Sequence, residues 1–370
     1  MTKKQRFLAA LRLEEPDVVP VCPLIHCRYA HTLLGRSDWA AVQEVHQRLG
    51  SVNFRGPQGV GCEVRLGPGY GANGESWDDE QGRHWHRHTL ITPRGELTEL
   101  HVSGMIPHDP LTGRTVEYLV KEPEDWWTYE AFWQEWARNA TPDPTGIARI
   151  WETFGEDGIA SVGQGSVYHT MAGARGMEGM LLDLYDCPDL ILGVSETMWE
   201  VVRLHLEGWL QSPAEVLWYD VCWATGAVMG PDLFERFALP DLAKAVEVAR
   251  SVPGKYLGFY TLGRMKHILP MIADTEPHFI ETFEPNEGDV TLAEAKRRYG
   301  DGICIMGNYD CVTLAMGTVE QAREETRRCL REGMEGGGYV LVTGDEVPAD
   351  AKWDNLRAMV EVVEAEGVYG

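Results

Sequence analysis

Tyr256-Leu257-Gly258-Phe259-Tyr260-Thr261-Leu262-Gly263-Arg264 opens the stretch, residues 256–310, from which the fold can be read. A short apolar run at 256–260 ends in a turn carrying Gly263. A helical run follows at 265–273, then a second apolar run at 279–283, with Glu281 inside it and Glu284 just past it. Asp289 and Thr291 open a second helix at 292–299, with Glu294 placed after Thr291 as in a capping box and Gly300 closing the helix. A third apolar run, 303–306, ends in Gly307-Asn308-Tyr309-Asp310. Strands separated by helices rather than hairpin turns predict a parallel sheet. Parallel α/β folds keep their chemistry just past the carboxyl ends of the strands.

Outward from this stretch, apolar runs recur at 18–21, 51–54, 159–162, 216–219 and 339–342. With the three above they make eight, mostly separated by helices, which predicts an α/β fold of the (β/α)8 TIM-barrel type. An open doubly wound sheet is the competing architecture, but no glycine-rich dinucleotide fingerprint follows the first run. Helices are expected at 3–13, 39–49, 122–136, 177–185, 190–210, 232–250 (interrupted near Pro240), 319–334 behind a Thr318/Gln321 capping box, and 353–366. Residues 140–144 read as a loop. Residues 55–115 differ in character. Glycines are frequent, and alternating runs such as His84-Trp85-His86-Arg87-His88-Thr89 suit exposed antiparallel strands. The organisation expected is one barrel domain over 1–370 with a β-rich cap inserted at about 55–115.

The formal net charge of −24 sets the acidic surface against phosphate backbones and anionic lipid, so neither nucleic acid nor membrane is an expected partner. No apolar run reaches membrane-spanning length, and the apolar segment after Met1-Thr2-Lys3-Lys4-Gln5-Arg6 is too short for a secretory core. The eight cysteines are scattered without a C-x-x-C pair, which suits reduced thiols and a cytoplasmic location.

Residues just past the strands would ring one mouth of a barrel: His26, Cys27 and Arg28; Gln164 and His169; Asp220 and Cys222; Tyr260 and Arg264; Glu281 and Glu284; Asn308 and Asp310; Thr343 and Asp345. Arginine offers a planar two-pronged donor for a substrate carboxylate. A carboxylate facing a tyrosine can do acid–base work, and thiols with a carboxylate can hold zinc. Each has a plainer reading. Cys222 and Cys304 suit small core positions, Tyr260 suits a barrel plug, and Arg28 and Arg264 suit structural ion pairs. The alternating His84, His86 and His88 share one strand face, which suits a metal or simply a solvated surface. Glu281 lies within an apolar strand and needs a partner there.

Asp220-Val221-Cys222, the run from Met229-Gly230-Pro231-Asp232 to Pro240, Leu262-Gly263-Arg264, Leu292-Ala293-Glu294-Ala295-Lys296 and Gly307-Asn308-Tyr309-Asp310 together resemble the uroporphyrinogen decarboxylase superfamily. Weaker matches at 14–21, 92–98 and 176–180 extend the resemblance over nearly the whole chain. It implies a TIM barrel and, by family habit, a homodimer. The superfamily includes the decarboxylase of haem synthesis and cobalamin-linked methyltransferases.

This chain departs from both. The zinc-bearing methyltransferases carry a His-x-Cys where this sequence has Tyr260 and Leu262, and a further cysteine near Gly344. The decarboxylase motif after strand one is reduced to Ile25-His26-Cys27-Arg28-Tyr29-Ala30, and its late Gly-His-Gly is replaced by Thr343-Gly344-Asp345. The resemblance therefore implies a divergent methyltransferase that moves a methyl group from a small methoxylated or methylated compound to a corrinoid protein. Tyr260, Glu281, Glu284 and Asp220 would be catalytic. His26, Arg28, Arg264, Asn308, Gln164 and His169 would bind substrate. Zinc remains possible without the usual ligands, with Cys222 and Glu281 or Glu284 as an alternative set. A metal-free decarboxylase or lyase acting on a carboxylated small molecule, with Arg28 and Arg264 as clamps, is the second expectation. A non-catalytic ligand-binding barrel is the third.

Overall fold

Six of the apolar runs form one parallel sheet in the computed structural model, which describes residues 1–54 and 59–370. Its strands are Ser161–Gly165, Val216–Asp220, Tyr256–Tyr260, Phe279–Thr282, Cys304–Tyr309 and Tyr339–Thr343, side by side in chain order. The other two runs close the ring through a few bonds each. Cys22 N–H donates to Leu341 O and Leu341 N–H to Pro20 O, both at 2.9 Å, while Val52 N–H donates to Val21 O at 2.8 Å and Ile159 N–H to Asn53 O at 2.7 Å. Eight strand positions thus surround a common interior, as the spacing of apolar runs predicts.

Alternation along each strand sorts inside from outside. Val216, Phe279, Cys304, Met306, Val340, Val342 and Tyr260 pack with Phe7, Val52, Phe54 and Ile159 in one interior cluster, with Trp218 and Cys222 against it. Gly258 makes room for Phe279: a Cβ there would lie 2.2 Å from the Phe279 ring. The first helix, Lys3–Leu11, held at its start by a Thr2/Gln5 capping box, carries Phe7 into this cluster, 5.0 Å ring to ring from Phe54.

The helical coat differs from the sequence reading in detail. The stretch at 265–273 is helical only from Leu269, because Asp289 accepts the amides of Met265 and Lys266 at 2.7 and 2.9 Å instead of opening the next helix. That next helix is capped by Thr291, which accepts from Glu294 N–H at 3.1 Å. Helices at Val167–Arg175 and Thr145–Phe154 add to those expected. The long helix at 231–250 breaks at Ala238, ahead of Pro240.

Asp241, buried in the helix Leu239–Arg250, accepts from Val167 N–H at 3.0 Å and from the Tyr219 hydroxyl at 2.7 Å, so it ties the start of one barrel helix to the outer face of a strand. Burial pushes its carboxyl up to about 6 from 3.8. The folded state thus holds this proton more tightly than the unfolded chain. The stability involved is fully present below about pH 4 and is lost as pH rises through about 6, an effect of order 3 kcal/mol. Asp241→Asn keeps an acceptor oxygen and cannot ionise. Its stability relative to the parent is expected to improve as pH rises across that window; urea midpoints whose difference stays constant with pH would contradict this.

The β-rich cap is an antiparallel sheet of Gly71–Asp78, His84–Thr92, Gly95–Ser103 and Gly113–Glu117, in sequential order. Positions 55–58, the first of the expected insertion, lie outside the described residues. Trp77 and Trp85 face each other across the hairpin with rings stacked at 6.3 Å, and Arg87 and Arg83 lie over them. Leu90 and Leu97 turn inward and join the main core, where the helix Trp126–Asn139 supplies Trp126, Tyr129 and Phe132. Residues 140–143 are not a loop: Ala140–Asp143 pairs antiparallel with Gly61–Val64.

Candidate functional site

Glu281 is fully buried inside the barrel. Its Oε2 accepts from the Trp218 indole N–H at 2.6 Å, so a partner its burial demands reaches it across the interior from two strands away. The Trp218 ring lies 4.5 Å from that of Tyr260. The Tyr260 hydroxyl donates to Asp345 Oδ1 at 2.8 Å, and the same oxygen accepts from Glu346 N–H at 2.7 Å. Carboxylate, indole, phenol and carboxylate thus follow one another from the interior to the rim. Tyr260 and Glu281 sit side by side because their strands are in register at those residues.

A second group stands at the next strand ends. His169 lies in the first turn of Val167–Arg175, whose cap residue Ser166 accepts the His169 amide at 3.1 Å. Asp220 ends its strand, and its Oδ1 accepts from Cys222 N–H at 2.9 Å and stands 3.4 Å from His169 Nδ1. Cys222 Sγ is 3.7 Å from that same nitrogen. Burial acts to raise the Asp220 pKa, but hydrogen bonding and charge from His169, with the Cys222 amide, outweigh it and hold the carboxyl below its ordinary range. Burial, then the negative charge of Asp220, pushes the Cys222 thiol far up.

A third group latches the cap to the barrel. Arg28 pairs with Glu346 and reaches across to Thr112 Oγ1 at 2.8 Å and Asp109 Oδ2 at 3.4 Å. His26 Nε2 stands 3.9 Å from Glu346, and its Nδ1 is 3.1 Å from Cys27 Sγ.

Several other residues read as site residues make local contacts of their own. Asn308 is buried, donates to Phe283 O at 2.9 Å and accepts from Arg328 at 3.0 Å, so its amide holds the turn in which Phe283 takes a left-handed φ of 56°. Glu284 accepts from the Asn286 and Glu287 amides and anchors its own turn. Arg264 is exposed and Gln164 donates to Gly165 O at 2.9 Å. The carboxylate beside Cys222 is Asp220, not Glu281 or Glu284. The group of metal-ligating side chains brought together among the described residues is His169, Asp220 and Cys222. His84 pairs with Asp78 and His86 with Ser76 on the exposed cap, without forming such a group.

Trp218 and Glu346 were not read from the sequence. The alternation Val216, Trp218, Asp220 would have placed Trp218 on the inner face. The positions that hold zinc in the methyltransferases do not fit the metal here: Tyr260 is bonded to Asp345, Leu262 packs in the apolar interior, and a Cβ on Gly344 would come 2.7 Å from Pro285.

Residues 165–366 match the family model for uroporphyrinogen decarboxylase (URO-D). The uroporphyrinogen decarboxylase of Neisseria meningitidis serogroup C is 23% identical over 182 residues, 49% of each chain. That of Anaeromyxobacter dehalogenans is 25% identical over 200 residues, 54% of this chain and 55% of the relative. The chain thus spans about half the length of these curated relatives. A solved methyltransferase from Methanosarcina mazei superposes over 99% of both chains with a TM-score of 0.64 at 17% identity, a likeness of fold. No helix among the described residues is long and apolar enough to cross a membrane.

Proposed function

The chain belongs to the uroporphyrinogen decarboxylase family, and from that premise we propose that it is a methyltransferase of the O-demethylase type, moving the methyl group of a small methoxylated or methylated compound to a corrinoid carried by a partner protein. The observation that carries this choice is the charge of the mouth. Asp345 and Glu346 gather there, while Arg28 is held by Glu346 and Asp109, and Arg264 lies exposed. A carboxylate-bearing substrate would meet like charges where it needs clamps, and an arginine already paired has little left to offer it. A neutral ether meets no such repulsion. The fold shared with a methyltransferase is compatible with this reading.

In the proposed reaction the methyl carbon–oxygen bond breaks. The methyl group passes to the reduced corrinoid acceptor, whose electron pair forms the new bond, and the departing oxygen keeps the old pair and takes a proton. Tyr260, oriented by Asp345, and Glu281, oriented by Trp218, are the groups placed to supply that proton. Asp220, His169 and His26 line the rim, and Arg28 holds the cap over it. We take the 370 residues as one cytoplasmic barrel domain with its inserted cap, acting as a homodimer.

The experiment is a spectroscopic assay of reduced cobalamin with a panel of methoxylated aromatic compounds. Substrate-dependent formation of methylcobalamin is expected. Carbon dioxide release from carboxylated compounds with no response to cobalamin would place the chain with the decarboxylases instead.

A further inference from the structure

We propose that His169, Asp220 and Cys222 form a binding site for one divalent transition-metal ion, zinc by the chemistry of the donors. The three side chains offer a nitrogen, an oxygen and a sulfur, all within 4.8 Å of one another. The two spacings from the His169 nitrogen are close to those of ligands around a common centre. Tetrahedral zinc, with bonds of about 2.0 Å to nitrogen and oxygen and about 2.3 Å to sulfur, separates nitrogen from oxygen by about 3.3 Å and nitrogen from sulfur by about 3.5 Å. Here His169 Nδ1 lies 3.4 Å from Asp220 Oδ1 and 3.7 Å from Cys222 Sγ.

The donor set selects the ion. Magnesium and calcium prefer all-oxygen surroundings, whereas imidazole with thiolate suits zinc. Binding would release the Cys222 proton to solvent, so that one thiolate and one carboxylate neutralise the ion. Among the described residues no lysine or arginine pairs with Asp220, and the ion pair it makes is with His169. The ligands are also positioned from behind. Cys222 N–H fixes the Asp220 carboxylate, Ser166 fixes the His169 backbone, and the Trp223 ring lies 5.7 Å from the imidazole. Three protein ligands leave a fourth position open for water or a substrate atom. The site comes from the third and fourth barrel strands, and it does not use Tyr260, Leu262 or Gly344. It is independent of the reaction proposed above, since an open metal position would serve a demethylase or a lyase.

The test is direct. The purified full-length chain is stripped with a chelator, loaded with zinc or with cobalt(II), passed through a desalting column and measured by elemental analysis and absorption spectroscopy. One zinc per chain is expected, and the cobalt form should show a thiolate-to-cobalt charge-transfer band. Cys222→Ser should lose that band, and Asp220→Asn and His169→Ala should each weaken zinc binding by at least about tenfold. His86→Ala, in the histidine-rich cap, should change neither. Absence of bound zinc in the parent, retention of full stoichiometry in all three ligand variants, or loss of the metal in His86→Ala would overturn the proposal. Circular dichroism of each variant separates loss of the site from loss of the fold.

Discussion

Glu281→Gln is expected to lower kcat by about 10²- to 10⁴-fold, the range over which a positioned proton donor acts, with little change in the thermal midpoint. Glutamine keeps an oxygen for the Trp218 indole, which now donates at 2.6 Å, and it fills the same space in a fully buried position. What it lacks is the acid proton. The measurement pairs steady-state kinetics with thermal unfolding on the same sample. Near-normal kcat would remove Glu281 from the chemistry and leave it as a packing residue of the barrel interior.

The largest effect on stability is expected from Asp183→Ala, about 3–5 kcal/mol, because it leaves a partly buried guanidinium without its counter-charge. Asp183 is 2% exposed and accepts from Arg175 Nε at 2.8 Å and from the Trp126 indole at 2.7 Å. It thereby joins the helix under the cap, Trp126–Asn139, to the helices Val167–Arg175 and Met177–Asp186. Urea unfolding should show the loss as a lower midpoint, and Asp183→Asn, which keeps an acceptor for both donors, should lose less. A change below about 1 kcal/mol for the alanine variant would mean that solvent replaces the carboxylate at this junction.

The barrel was legible because its strands are buried on both faces and so read as continuous apolar runs. The strand at 140–143 was not, since Pro142 and Pro144 make the segment look like a loop, and its pairing with Gly61–Val64 is a long-range event. The helix at 265–273 was overextended for a related reason. Its periodicity is helical, but the amides of Met265 and Lys266 are claimed by Asp289, a residue more than twenty positions on.

At the mouth, Tyr260, Glu281, Asp220 and Cys222 were legible as polar or reactive groups in or just past apolar strands. Their partners were not. Which carboxylate stands beside Cys222 depends on how the strand-end turns fold back. The sequence left Glu281 and Glu284 open as partners, whereas the bond from Cys222 N–H to Asp220 is formed within a tripeptide. Arg28 was read as a substrate clamp; its pairing with Glu346, 318 positions away, follows only from closure of the barrel. Asn308 and Glu284 look the same as pocket residues in sequence, and their side chains bond within the turns that carry Phe283 and Glu287.

The central claim is transfer of a methyl group rather than loss of a carboxyl group. Incubating the protein with reduced cobalamin and a methoxylated aromatic compound labelled in its methyl carbon, then tracing the label by mass spectrometry, tests it most directly. Label recovered on cobalamin together with the free phenol, and lost with Glu281→Gln, is the predicted result. Label remaining in the ether across the methoxylated panel, with carbon dioxide formed from carboxylated compounds in the absence of cobalamin, would contradict it.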